Sequence, residues 1–226
     1  MWGNRRKIIR VTGTVLAGTG ALLMLAGLCL FVRNRRQDDL AGQRAQEALA
    51  EVKTAIETGA AFSGGLWDDA GASGGGSGNE SAADGVRETD ILVVTIDDYE
   101  YAGYLSIPSL GLELPVMAQW SYPRLKIAPC IYYGSAAEGD LVIAAHNYAG
   151  HFGRLSKLEM GEEITYTDME GTVRRYEVET TDVLAPEAVE EMTDAGDALT
   201  LFTCTYGGAN RVTVRCTAGE QHKLPE

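Results

Sequence analysis

ALTLFTCTYGGANRVTVRC, residues 198–216, decides how this chain is read. Two runs that alternate apolar and polar residues, ALTLFTC (198–204) and NRVTVRC (210–216), flank the short loop TYGGAN (205–210). Alternation with a period of two marks strands, and a loop this short joins antiparallel neighbours. Gly207 and Gly208 allow the reversal. With Cys204 and Arg211 as the pair that flanks the loop, Phe202 meets Thr213 and Thr200 meets Arg215. On the other face Thr203 meets Val212, Leu201 meets Val214 and Leu199 meets Cys216. One face is then aliphatic, and the other carries a thiol, hydroxyls and guanidinium groups. Directly opposed Cβ atoms lie about 4.5–5.5 Å apart, so this register sets Arg211 beside the Cys204 sulfur. A cation beside a thiol favours the thiolate, the nucleophilic form, and can also hold the oxygen of a reacting carbonyl. The plainer alternative is a buried, inert cysteine with a charged residue at a strand end.

Outward from this hairpin, strand-like runs recur from about residue 91. They are ILVVTI (91–96), YLSIPS (104–109), LELPVM (112–117), DLVIAAHN (140–147), EITYTD (163–168) and TVRRYEVETTDVL (172–184). Short strands at close spacing argue for a closed barrel or a sandwich. APEAVEEM (185–192) reads as one or two helical turns, and a body of about 125 residues is long enough for its own core.

A nucleophilic cysteine needs a proton carrier, and the chain has three histidines. His146 closes the apolar run LVIAAH, where a strand gives way to a loop, and can project from that rigid edge into a shared cleft. His151, in the following AGHFG loop, is the weaker candidate, and His222 lies in a polar tail. The spacing of His146, His151 and a cysteine matches no strong metal signature, so neither a metal nor an organic cofactor is expected.

The formal net charge is −13. Residues 1–36 hold seven basic side chains and no acid, so the rest, with 12 basic and 32 acidic residues, carries −20. Phosphate backbones would repel such a body, which argues against nucleic acid as a partner. Residues 11–32 contain no charge and, as a helix, are long enough to cross a hydrocarbon core of about 30 Å. RNRR follows directly, so an uncleaved single-span anchor is expected, with the N-terminus cytoplasmic and the body outside. Residues 38–60 read as a stalk helix with Ala45, Leu49, Val52 and Ile56 on one stripe, Asp38 or Asp39 at its start and Gly59 at its end. Residues 63–85, rich in Gly, Ser and acids, read as a flexible spacer in which Trp67 has no assigned role. Of the four cysteines, Cys29 lies in the span, and outside the cell the remaining three leave one thiol free and allow Cys130 and Cys216 to pair.

TLFTC (200–204) followed by an arginine in the next strand, with an upstream strand ending in histidine, resembles the sortases, the cysteine transpeptidases of Gram-positive cell surfaces. The resemblance covers about residues 98–217, including YLSIPSLGLELPV (104–116) and GDLVIAAHNYAGHFGRLSKL (139–158). It implies a mostly β fold, a closed eight-stranded, mostly antiparallel barrel with short helices, preceded by a transmembrane helix and stalk. The implied organisation is a basic tail (1–10), anchor (11–32), stalk and linker (33–90), catalytic domain (91–217) and polar tail (218–226). By the same resemblance Cys204 is the nucleophile, His146 the general acid and base, and Arg211 the support for substrate and oxyanion, with Arg215 a fallback. The implied substrate is a secreted protein bearing a C-terminal sorting signal, and the implied acceptor is an amine of a cell-wall precursor or a pilin. Ala145 stands where many members have glycine, and the loop between Cys204 and Arg211 is shorter than in many, so the subclass stays open despite a class B-like histidine segment. A hydrolytic cysteine peptidase and a non-enzymatic binding domain with an idle Cys204 are the alternatives.

Overall fold

The computed structural model describes residues 2–60, 62–63, 91–193 and 196–224, with the side chains of 2–17, 38–39 and 62–63 outside the description. The spacer expected at 63–85, with Trp67, lies almost wholly outside the described residues. Two units make up the chain, Met1–Leu40 and Ala41–Glu226.

The elements are α1 (Trp2–Thr58), β1 (Phe62–Ser63), β2 (Leu92–Ile96), β3 (Tyr99–Ile107), β4 (Leu112–Met117), α2 (Tyr122–Leu125), β5 (Cys130–Tyr133), β6 (Leu141–Ala144), β7 (Glu163–Asp168), β8 (Thr172–Leu184), α3 (Val189–Thr193), β9 (Leu199–Cys204) and β10 (Arg211–Lys223). The strands run in the order β1-β2-β3-β4-β5-β6-β9-β10-β8-β7, and β7 pairs back onto β3. β3 to β10 therefore close into a ring of eight strands, to which β2 and β1 are appended. Neighbours in the ring are antiparallel except β4–β5 and β6–β9. The mostly β reading with short helices holds. β5 was not anticipated, because CIYY is short and has no alternation to mark it. β10 runs on to Lys223 and pairs His222 with Val173, so that histidine is an exposed strand residue and not part of a loose tail.

The inward faces of these strands supply a core that includes Leu105, Leu114, Ile143, Ile164, Leu201 and Val214, each nearly or fully buried. Closure has one tight point. β3 pairs with both β4 and β7 at Gly103, beside a bulge. A Cβ there would overlap the Thr167 carbonyl oxygen, and the residue has a φ of +150°, so only glycine fits.

The helix expected over residues 38–60 is present as the last turns of α1, and from Ala41 on it belongs to the second unit. Ala45, Leu49 and Val52 are buried as the stripe required. Ala48, Val52 and Ala55 pack with Tyr101, Met117 and Cys130, and Ile56 lies against the same cluster. Lys53 pairs with Glu113 at 2.7 Å, and the Gln46 amide donates to the Glu113 carbonyl. The helix is continuous through residues 38 and 39, so neither aspartate caps a start. Gly59, at φ +64°, donates to the Ile56 carbonyl just past its end. In the first unit, among the described residues, no helix is long and apolar enough to cross a membrane. The described side chains of the 11–32 run begin at Gly18 and include exposed Leu22, Leu23, Met24, Leu25, Leu28, Leu30 and Phe31.

Cys130 and Cys216 do not pair, contrary to the pairing the odd cysteine count allowed. Both are free thiols buried in different clusters, Cys130 under α1 and Cys216 in the ring's core opposite Leu199. Burial pushes each thiol up to about 12.

His151 is fully buried. Desolvation, with a smaller contribution from the nearby His146 charge, pushes its imidazole down to about 4. The folded state therefore keeps His151 neutral, while the unfolded chain protonates it below about 6.5. The native state binds fewer protons, so stability falls as the pH drops from about 6.5 towards 4.

Two outcomes are expected. Relative to His151→Phe, the wild-type chain should lose about 2 kcal/mol more unfolding free energy between pH 7 and pH 5, read from urea titrations at each pH. A fragment beginning at residue 91 leaves the α1 contact surface bare, and it should melt about 10 °C below one beginning at residue 41 in a thermal scan.

Candidate active site

Strand order brings three segments that are distant in sequence side by side. β9 lies between β6 and β10. Its register with β10 pairs Cys204 with Arg211, Thr203 with Val212, Phe202 with Thr213, Leu201 with Val214, Thr200 with Arg215 and Leu199 with Cys216. These are the six pairs expected from the hairpin sequence. Leu199, Leu201, Val214 and Cys216 face the ring's core. The opposite face is less polar than its composition suggested. Phe202 packs there with Val142, Ala144 and Met192, and Thr200 and Thr213 are buried. Cys204, at the end of β9, is exposed, which removes the reading of it as a sealed core residue.

On the other side β6 runs parallel to β9, with Val142 opposite Thr200 and Ala144 opposite Phe202. The pairing continues past the strand end. The Ala145 amide donates to the Phe202 carbonyl at 3.2 Å, and the Thr203 hydroxyl donates to the Ala145 carbonyl at 2.8 Å. His146 follows, two residues past Ala144 as Cys204 is two residues past Phe202. Cys204 thus ends β9 and Arg211 begins β10, and position 146 lies two residues past the end of β6; adjacent strands are spaced about 4.8 Å apart.

The loop after His146 is tightly folded. The amides of His151 and Gly153 both donate to the Tyr148 carbonyl, and that of Phe152 donates to the His146 carbonyl. A Cβ at Gly153 would crowd the carbonyl oxygens of Asn147 and Tyr148 at 2.5 and 2.7 Å. The Tyr148 ring stacks on the His146 imidazole, with centroids 3.9 Å apart and planes 14° from parallel. The His151 ring lies 5.6 Å from that of Tyr148.

The two arginines are held differently. Arg211 donates to the carbonyls of Gly208 and Asn210, at 3.1 and 3.2 Å, within its own loop. That loop is braced by hydrogen bonds between Thr205 and Asn210 and from Gly208 to Thr205. The Arg211 charge also reaches Tyr132, whose hydroxyl is shifted upward by burial and by Tyr122, against the opposing pull of Arg211. Arg215 bonds the Asp197 carboxylate at 2.7 Å and the Glu191 carbonyl at 2.6 Å, with Asp182 at 3.5 Å. It clamps the segment that carries α3 and has no free fork to offer a substrate, so the fallback role is withdrawn. Tyr132 and Tyr148 were not singled out in the sequence. The only signal for Tyr148 was its place two residues after His146, and Tyr132 sits on the unrecognised β5.

The Sortase domain family matches residues 105–218. Among solved structures, sortase A from Listeria monocytogenes is 21% identical, with 56% of this chain and 92% of that chain covered and a TM-score of 0.50. Sortase A from Corynebacterium diphtheriae, a lid mutant, is 25% identical over 53% of this chain and 70% of that chain, with a TM-score of 0.48. Sortase C from Clostridium perfringens SM101 is 23% identical over the same shares, with a TM-score of 0.44. No curated protein matches the chain. With a family match that spans half its length and covers β6, β9 and the first part of β10, the chain belongs to the sortase family.

Proposed function

We propose that the chain is a cysteine transpeptidase, with Cys204 as nucleophile, His146 as proton carrier and Arg211 as the cation at the reacting carbonyl. The observation that carries this reading is the register of β6, β9 and β10, which sets the three residues at or just past neighbouring strand ends with the thiol exposed. The Cys204 sulfur, its proton passed to His146, attacks a backbone carbonyl in a C-terminal sorting signal of a secreted protein. The tetrahedral centre collapses, the C–N bond breaks, and His146 protonates the departing amine. A thioester remains and keeps the acyl group activated. An amine from a cell-wall precursor or a pilin subunit then attacks the thioester carbonyl. His146 takes the proton of that amine, the C–S bond breaks, a new amide forms and the departing sulfur recovers its proton from His146 as the Cys204 thiol. Arg211 would exchange its weak hold on the Gly208 and Asn210 carbonyls for the developing oxyanion, whose charge rewards the exchange.

The proposed setting is a cell membrane, with a single span over residues 11–32, the N-terminus cytoplasmic and the catalytic unit outside. The exposed apolar side chains from Leu22 to Val32 support it, since a helix that is apolar on all faces needs an apolar surrounding. So does the placement of basic residues on both flanks of the run.

Mass spectrometry of the chain with sorting-type peptides tests the reaction. An acyl adduct on Cys204, discharged to a new amide when an amine is added, is expected. Hydrolysis alone, with no amide at any amine concentration, points to a peptidase, and an intact peptide library rejects both. The arginines should separate cleanly. Arg211→Ala should lower kcat about 100-fold or more with little change in Tm. Arg215→Ala should instead cost about 3 kcal/mol of stability by stranding Asp197, seen in urea unfolding.

A further inference from the structure

The transfer chemistry asks His146 to present one ring nitrogen first to a leaving amine and then to an incoming one. An imidazole that turned away from the reacting atoms would deliver its proton poorly. Tyr148 lies flat against that ring, at 3.9 Å and 14°. Its own backbone is fixed by two amides on one carbonyl, those of His151 and Gly153, in a loop too tight for a side chain at Gly153. The fully buried His151 ring lies 5.6 Å from the Tyr148 ring. The stacked pair thus sits in a tightly folded loop beside a buried aromatic ring. We infer that Tyr148 is a positioning residue, which holds the His146 imidazole in the orientation needed for proton transfer through the face of its ring.

The role is assigned to the aromatic face. Stacking restricts ring rotation and places π electrons against a group that becomes cationic during the cycle. His151 suits its place because burial keeps it uncharged at neutral pH, down to about 4, so no second imidazolium opposes the charge on His146.

This inference rests on the proposed function for its kinetic meaning but not for its structural test. Three histidines give a sparse spectrum from the full chain in detergent micelles with isotope-labelled histidine, assigned with single His→Gln variants. In the wild-type chain the His146 ring protons should be shifted upfield of those of exposed His222 by the tyrosine ring current. The shift should persist in Tyr148→Phe and vanish in Tyr148→Leu. In peptide transfer, Tyr148→Leu should lower kcat about 3- to 10-fold with KM unchanged, and Tyr148→Phe should restore most of the loss. No upfield shift in the wild-type chain overturns the proposal, as does a Phe variant as slow as the Leu variant or a Leu variant at wild-type kcat. If the wild-type chain transfers no peptide, the failure belongs to the proposed function, and the ring-current result still decides the stacking. Should Tyr148→Leu fail to fold, the wild-type spectrum and the Phe variant decide it.

Discussion

The parallel pairing of β6 with β9 is the constraint on which the site depends. These strands are far apart in sequence, and nothing local would bring them together. Closing the ring does so, and the two hydrogen bonds that centre on Ala145 carry the pairing one step beyond the last strand residue. That step matters because it decides which side chain emerges next to the end of β9. A slip of one residue would turn His146 to the other face and leave Cys204 beside an alanine or an asparagine. The Thr203 hydroxyl, buried and bonded to the Ala145 carbonyl, opposes that slip from the neighbouring strand.

The hairpin on the other side of β9 was legible because its information is local. Alternation fixes the faces, a two-glycine loop fixes the pairing, and together they leave one register, which is the one observed. The strands at 112–117, 163–168 and 172–184 were legible for the same reason. What escaped reading is non-local. The contact of α1 with β3, β4 and β5 depends on a surface that exists only after the ring has formed, so the Ala45–Ile56 stripe revealed an apolar face but not what it would cover. β5 lacks a pattern of its own and becomes a strand because β4 and β6 stand on either side of it.

At the site the same division holds. Cys204, Arg211 and His146 were singled out from residue type and position at or just past strand ends. Tyr148 was not, because a stacked ring is a property of loop geometry and the sequence shows only a tyrosine two residues along. Arg215 illustrates the reverse error. Its alternation put it on the same face as Cys204, but that face is covered by α3 and its flanking segment, and the guanidinium is spent on Asp197 and Glu191.

The burial of Cys130 and Cys216 has a consequence for the protein under oxidising conditions. Within the Ala41–Glu226 unit only Cys204 presents its sulfur to solvent. A sulfenic acid formed there would meet no second accessible thiol of that unit with which to condense. Its recovery must then come from an outside reductant, and intramolecular disulfide scrambling is not open to the folded domain.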